Sequence, residues 1–138
     1  REKGESVASI RKGMEATMIN SFGIFRKEDL MQQGLQQLVE LKERYQTVII
    51  EDKGKVYNLN LFRALELENM LDLAHVIAVG ALARKESRGA HFREDFPKMD
   101  NPNFLKHTIM VRDTQGNPQL SYRPVTIEDI QPLEEIKY

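Results

Sequence analysis

The stretch from about Leu61 to Lys85 constrains this chain most, because it is apolar on two faces once wound into a helix. Leu67, Met70, Leu71, Ala74, Ile77, Ala78 and Ala81 recur three or four apart and make one face. Phe62, Leu65, Leu73, Val76 and Val79 make a second. A surface helix of a small bundle needs a single apolar stripe. Two stripes predict burial on both sides, either by two other helices or by one helical layer and a further domain.

Two more helices are available to pack on it. Ser6 can cap a helix running to about Asn20, with Val7, Ile10, Met14 and Met18 on one face. Ser21-Phe22-Gly23 reads as a break. A second helix is expected from about Lys27 to Tyr45, with Met31, Leu35, Leu38, Leu41 and Tyr45 as its stripe. Gly34 lies on that stripe, either where another helix approaches closely or as a plain glycine that costs about 1 kcal/mol against alanine. Residues 46–60 form a connection: Val48-Ile49-Ile50 is a short apolar run, Asp52-Lys53-Gly54-Lys55 is turn-like, and Asn60 is the expected cap of the long helix.

After Lys85 the helical period ends. Residues 86–106 read as an ordered irregular segment. Thr108-Ile109-Met110-Val111 and Gln119-Leu120-Ser121-Tyr122 then flank Asp113-Thr114-Gln115-Gly116-Asn117, the pattern of a β-hairpin with glycine in its turn. Pro124 and Pro132 suit an extended tail. The expected fold is mainly α: a spectrin-repeat-like three-helix bundle over 1–85, then an irregular segment, a small hairpin and a tail over 86–138 of the same domain.

Composition removes several classes of function. The chain of 138 residues is long enough for one domain but not for a cofactor domain plus a substrate domain. There is no cysteine, which excludes disulfides, thiolate metal sites and a cysteine nucleophile. The 20 basic and 21 acidic residues are well mixed and tryptophan is absent, so neither a basic stripe nor a base-stacking platform for nucleic acid is expected. No apolar run reaches the roughly 18 residues of a membrane span, so no membrane insertion is expected. The charged start Arg1-Glu2-Lys3-Gly4 does not read as a signal peptide. There is no Gly-x-Gly-x-x-Gly after a strand, hence no dinucleotide cradle.

One segment carries chemistry: Glu86-Ser87-Arg88-Gly89-Ala90-His91-Phe92-Arg93-Glu94-Asp95-Phe96-Pro97. Two arginines, a histidine and an aspartate crowd together beyond a buried helix. Such a cluster is a solvated loop, an ion-pair network that docks a partner domain, or an anion-binding site. Arginine suits bidentate carboxylate pairing, so Arg88 or Arg93 with Asp95 is a sensible docking pair. Gly89 allows a sharp turn or a close approach by another chain.

Ser87, Arg88, Gly89, His91, Arg93, Asp95 and Pro97 in this order resemble the C-terminal signature of the succinate dehydrogenase/fumarate reductase flavoproteins, with related versions in L-aspartate oxidase. Further segments resemble that family in order: Asn20-Ser21-Phe22-Gly23-Ile24-Phe25-Arg26, Leu65-Glu66-Leu67-Glu68-Asn69-Met70, Lys106-His107-Thr108, Tyr122-Arg123-Pro124-Val125 and Ile136-Lys137-Tyr138. The complete signature and the Arg-Pro-Val of the hairpin lean toward succinate dehydrogenase. The resemblance implies a C-terminal helical domain that docks on the FAD-binding domain of the same polypeptide and offers surface to an iron–sulfur subunit. In the family, hydride moves between a dicarboxylate and FAD. The residues that bind FAD and clamp substrate lie upstream, so the resemblance implies no catalytic, cofactor-binding or metal residue in this chain. It also implies a fragment inactive by itself, in a cytoplasmic complex held at the inner face of the membrane by other subunits.

Three histidines remain. His75 lies between the stripes of the long helix and reads as structural. His91 is either a contact to the FAD domain or, more simply, a loop histidine bonded to a backbone carbonyl. His107 opens a strand and reads as structural, and the three lack metal-ligand spacing. Two readings of another class stay open: a free-standing helical interaction module, and direct binding of small carboxylates by the arginines.

Overall fold

The computed structural model describes residues 4–134. Arg1-Glu2-Lys3 and the family-like Ile136-Lys137-Tyr138 lie outside the described residues. Three long helices lead: α1 (Val7–Phe22), α2 (Glu28–Tyr45) and α3 (Leu59–Ala83). Two short strands, β1 (Phe25–Arg26) and β2 (Phe92–Arg93), pair in parallel. A one-turn helix α4 (Asn101–Phe104) precedes the antiparallel hairpin β3 (Lys106–Arg112) and β4 (Pro118–Pro124). The fold is mainly α, with the hairpin near its C-terminal end.

Helix boundaries follow their caps. Ser6 accepts a hydrogen bond from the Ser9 amide at 3.2 Å, as its sequence position predicts. α1 runs past the expected break at Ser21 because Phe22 is buried in the core; tertiary packing outweighs the local signal. The cap of α3 is Asn58, whose Oδ1 accepts from the Leu61 amide at 2.8 Å. Asn60, the expected cap, lies one residue inside α3 and accepts from the Glu51 amide, tying down the preceding connection. In that connection the Gly54 amide donates to Asp52 Oδ1 at 2.7 Å, closing the expected turn.

The core is the inner face of all three helices. Ile10 and Met14 of α1 and Met31, Leu38 and Leu41 of α2 meet Leu67, Leu71 and the alanines 64, 74, 78 and 81 of α3. Each fully buried large aliphatic side chain contributes about 1.5–3 kcal/mol. Alanines on α3 let the neighbouring helices come close. Gly34 of α2 is a true close approach: a Cβ there would lie 2.4 Å from Ser21 Cβ and 2.7 Å from Phe22 Cε2.

Burial of α3 on both sides, expected from its two stripes, is not what this chain achieves. α1 and α2 cover the same side, and on the second face Phe62 is 58% and Leu73 60% exposed, with Leu65 exposed too. Ile77, assigned by spacing to the first face, is also exposed. Val76 and Val79 are half-buried.

The hairpin has the expected register, with Thr108 opposite Tyr122 and Val111 opposite Gln119. Its turn closes on Asp113, whose carboxylate accepts from the amides of Gln115 and Asn117, while Gly116 takes the left-handed φ of 85°. β3 lies antiparallel along α3. Thr108 sits against Gly80, and Arg112 ion-pairs with Asp72. Four strand residues span about 13 Å and eight helical residues about 12 Å, so the two elements stay in step. Among the described residues no helix is long and apolar enough to cross a membrane.

Candidate functional site

The last carbonyls of a helix have no partner within it. At the end of α3 they are met by Arg93, whose side chain is wholly buried. Its Nη1 donates to the carbonyls of Leu82 (3.1 Å), Arg84 (3.4 Å) and Ala81 (3.5 Å). A cation there also suits the negative end of the helix. The same guanidinium grips Asp95 with two bonds, Nε to Oδ1 at 2.8 Å and Nη2 to Oδ2 at 2.7 Å, and stacks over the Phe96 ring. Of the two arginines that spacing offered to Asp95, Arg93 makes the pair.

Asp95 does a second thing. Its Oδ2 accepts from the Glu28 amide at 3.1 Å, the first residue of α2. The cap position of α2 is Lys27, which makes no side-chain cap bond, so the carboxylate arrives from 67 residues away in sequence to fill that role. The Arg93 bonds, with the Glu28 amide adding and burial opposing, push the Asp95 carboxyl down to about 2.

Glu86 is a second hub, also wholly buried. It accepts from Arg84, from Arg88 through Nε and Nη2 (2.9 Å each), and from the Asp100 amide (2.8 Å). Burial alone pushes its carboxyl up; the Arg88, Asp100 and Arg84 bonds outweigh this and hold it below the usual range. Arg84 goes on to donate to the carbonyls of Phe104 and Lys106 and to Thr108 Oγ1, anchoring the start of the hairpin. Arg88 also donates to Asn101 Oδ1 at 2.8 Å.

Ser87 threads the loop: its Oγ accepts from the Arg93 amide and donates to the Phe96 carbonyl, both at 2.8 Å. Gly89, at φ 57°, makes the turn that pairs Arg88 with His91 through two backbone bonds. Pro97 is exposed just beyond Phe96. β1 pairs with β2 so that Arg26 lies beside Arg93, and Phe25 and Phe92 meet edge to face at 5.9 Å.

His91 has one protonation state that fits. Arg26 Nη1 lies 2.8 Å from His91 Nδ1, and a guanidinium can only donate. Nδ1 therefore accepts, and Nε2 carries the proton given to the Arg84 carbonyl at 2.9 Å. Burial lowers the His91 pKa, and the charges of Arg26, Arg93 and Arg84 add to this, against the pull of the Arg84 carbonyl. The simpler reading of His91, a loop histidine on a backbone carbonyl, describes its contacts. His75 is half-buried on α3, its pKa lowered by burial and by Lys42 against the pull of Asp72.

Beside this cluster an open groove of about 310 Å³ runs between α3 and β3. Arg26, Arg84 and His91 lie at one end, and Val76, Ile77 and Met110 make its apolar walls. The sequence reading passed over Arg26, Glu28 and Arg84 as site residues and quoted Glu86 without giving it a role. Arg84-x-Glu86-x-Arg88 carried a visible signal in its alternating charge; Arg26 and Glu28 carried none, because only the fold brings them here.

The family described as "Fumarate reductase flavoprotein C-term" matches residues 11–138. A fumarate reductase flavoprotein subunit of Haemophilus influenzae is 39% identical over 99% of this chain, and one of Escherichia coli 41% identical over 99%. A succinate dehydrogenase flavoprotein subunit of Rickettsia bellii is 38% identical over 96%. The chain spans about a quarter of the length of these relatives, 22–23%. A solved Escherichia coli quinol fumarate reductase chain superposes with a TM-score of 0.91 at 41% identity, covering 97% of this chain and 23% of that one. Mycobacterium smegmatis Sdh1 gives 0.77 at 34% identity, covering 95% and 22%. Identity differs little between the fumarate reductase and succinate dehydrogenase relatives, at 39–41% against 38%, while of the two solved chains the fumarate reductase is the more similar in identity and in fold.

Proposed function

The chain belongs to the fumarate reductase flavoprotein C-terminal family, and on that premise we propose that it is the helical scaffold domain of an FAD-dependent enzyme that interconverts succinate and fumarate. The observation that carries this reading is the uncovered second face of α3, in a chain that matches only a quarter of its relatives' length. An exposed apolar stripe of this extent marks an interaction site. Its occupant in this reading is the FAD-binding domain of the same polypeptide, with an iron–sulfur subunit as a further neighbour.

The signature residues serve docking through their internal bonds. Arg93 and Asp95 fix the ends of α3 and α2, Ser87 holds the loop, and His91 fixes Arg26. Arg88 fastens the loop to α4, and the exposed Gly89 and Pro97 shape its outer surface. Together they set the outline of the face that the neighbour meets. Hydride transfer needs a cofactor held against its substrate. In this reading neither is held here, and the domain stiffens the scaffold that positions both. The assembled complex lies on the cytoplasmic side of the inner membrane, and this chain does not insert.

Calorimetry on the 138-residue chain tests the assignment. The expected result is no heat of binding with FAD or with succinate at millimolar concentration; tight FAD binding by this chain alone would overturn the reading.

A further inference from the structure

Arg26 is a half-buried cation that lacks an acidic partner among the described residues. Each of its neighbours in the cluster has an acidic partner: Arg93 pairs with Asp95, and Arg84 and Arg88 share the one carboxylate of Glu86. Arg26 instead donates Nε to the Gly23 carbonyl at 2.9 Å and Nη1 to neutral His91. Both partners orient the guanidinium and neither neutralises it. Among the described residues Nη2 has no hydrogen-bond partner, and it lies at the end of the open groove beside α3. A partly desolvated charge held rigidly and left uncompensated is unfavourable unless a counter-charge arrives.

We propose that Arg26 is the socket for an aspartate or glutamate side chain presented by the flavin-carrying part of the polypeptide. This rests on the docking reading above and adds the chemistry of the contact. Two features favour a carboxylate on a protein surface over a free dicarboxylate. Among the described residues Arg26 is the one groove-lining cation with a terminal nitrogen to spare, since both terminal nitrogens of Arg84 already donate, so a second carboxylate would find no donor there. The groove walls Val76 and Ile77 also continue into the exposed stripe with Leu73, so the incoming carboxylate comes with an apolar surface around it. His91 is a positioning residue: its Nδ1 holds Nη1, while Nη2 has no partner among the described residues.

The test compares Arg26→Gln and Arg26→Lys in two contexts, the 138-residue chain and a flavoprotein polypeptide that contains it. The expected result is a fall in Tm from Arg26→Gln that is larger in the flavoprotein than in the chain alone by about 3 °C or more, with at least half recovered by lysine. Equal shifts in the two contexts would show that Arg26 acts only within the domain and overturn the proposal. Leu73→Glu in the flavoprotein separates this from the docking reading. If it raises hydrogen exchange along α3 while Arg26→Gln behaves alike in both contexts, only the socket is lost. If Leu73→Glu changes nothing, docking through this face is lost as well. Saturable perturbation of the Arg26 Nε resonance by free succinate in the 138-residue chain would reassign the groove to a small carboxylate and overturn the proposal.

Discussion

Asp95 joins two helices with one carboxylate, and its removal should be felt at both. Asp95→Asn keeps the size but sets an amide against a buried guanidinium, so Arg93 loses its two-bond carboxylate and keeps only Glu28 Oε2 at 3.5 Å. With only the Arg93 half of the pair buried and Glu28 still near, the loss is about 1–3 kcal/mol, readable from urea denaturation. Its acid response follows from the depressed pKa: the stabilisation is full above the ordinary aspartate value near 4 and is lost as pH falls toward about 2. His91 acts in a different window. Its folded pKa is lowered, so the folded state resists protonation. Its stabilisation is therefore full above the unfolded value of about 6.5 and declines as pH falls below it. His75 has the same sign, so the slope of Tm between pH 7.5 and 5 in wild type minus that in His91→Gln isolates His91; a flat difference would refute the lowered pKa of His91. Chemistry and spacing narrow the partner of Asp95 to Arg88 or Arg93; the choice of Arg93 is made by the fold. The cap that Asp95 makes on α2 was not legible, because no local pattern announces an acceptor 67 residues away.

At the scale of elements, hydrophobic spacing located all three long helices and the hairpin. It failed where a non-local bond competed with a local signal. Asn60 looks like a cap, yet its side chain serves the Glu51 amide and leaves capping to Asn58; Asn58→Ala should cost about 1 kcal/mol and Asn60→Ala should not loosen the first turn of α3. The parallel pairing of β1 with β2 is two residues long on each side, too short for any period to show. Glycine at position 34 was legible as an exception on an apolar stripe, and the close contact with Ser21 and Phe22 explains it. Gly34→Ala gains helix propensity but drives a methyl into backbone-anchored neighbours, so a net loss of about 1–3 kcal/mol is expected in thermal unfolding. A gain in stability would mean that α1 can shift aside.

At the scale of the molecule, the second stripe of α3 exists as the pattern predicts, but the described residues cover only part of it: Val76, beside the hairpin, and Val79 are half-buried, while Phe62, Leu65 and Leu73 stay exposed. A sequence shows that a face is apolar; it does not show whose atoms cover it. Leu73→Ser should therefore leave the stability of the 138-residue chain within about 0.5 kcal/mol, as for exposed sites generally, while reducing its tendency to self-associate at high concentration. A loss above 2 kcal/mol in urea denaturation would place Leu73 inside the core. The strut formed by Arg93 and Asp95 bears on how this body answers a push from outside. It runs from the final carbonyls of α3 to the opening amide of α2 through one guanidinium and one carboxylate. Traction on the outer side of α3 would thus reach α2 as a rigid translation of both rods together, with little bending of either.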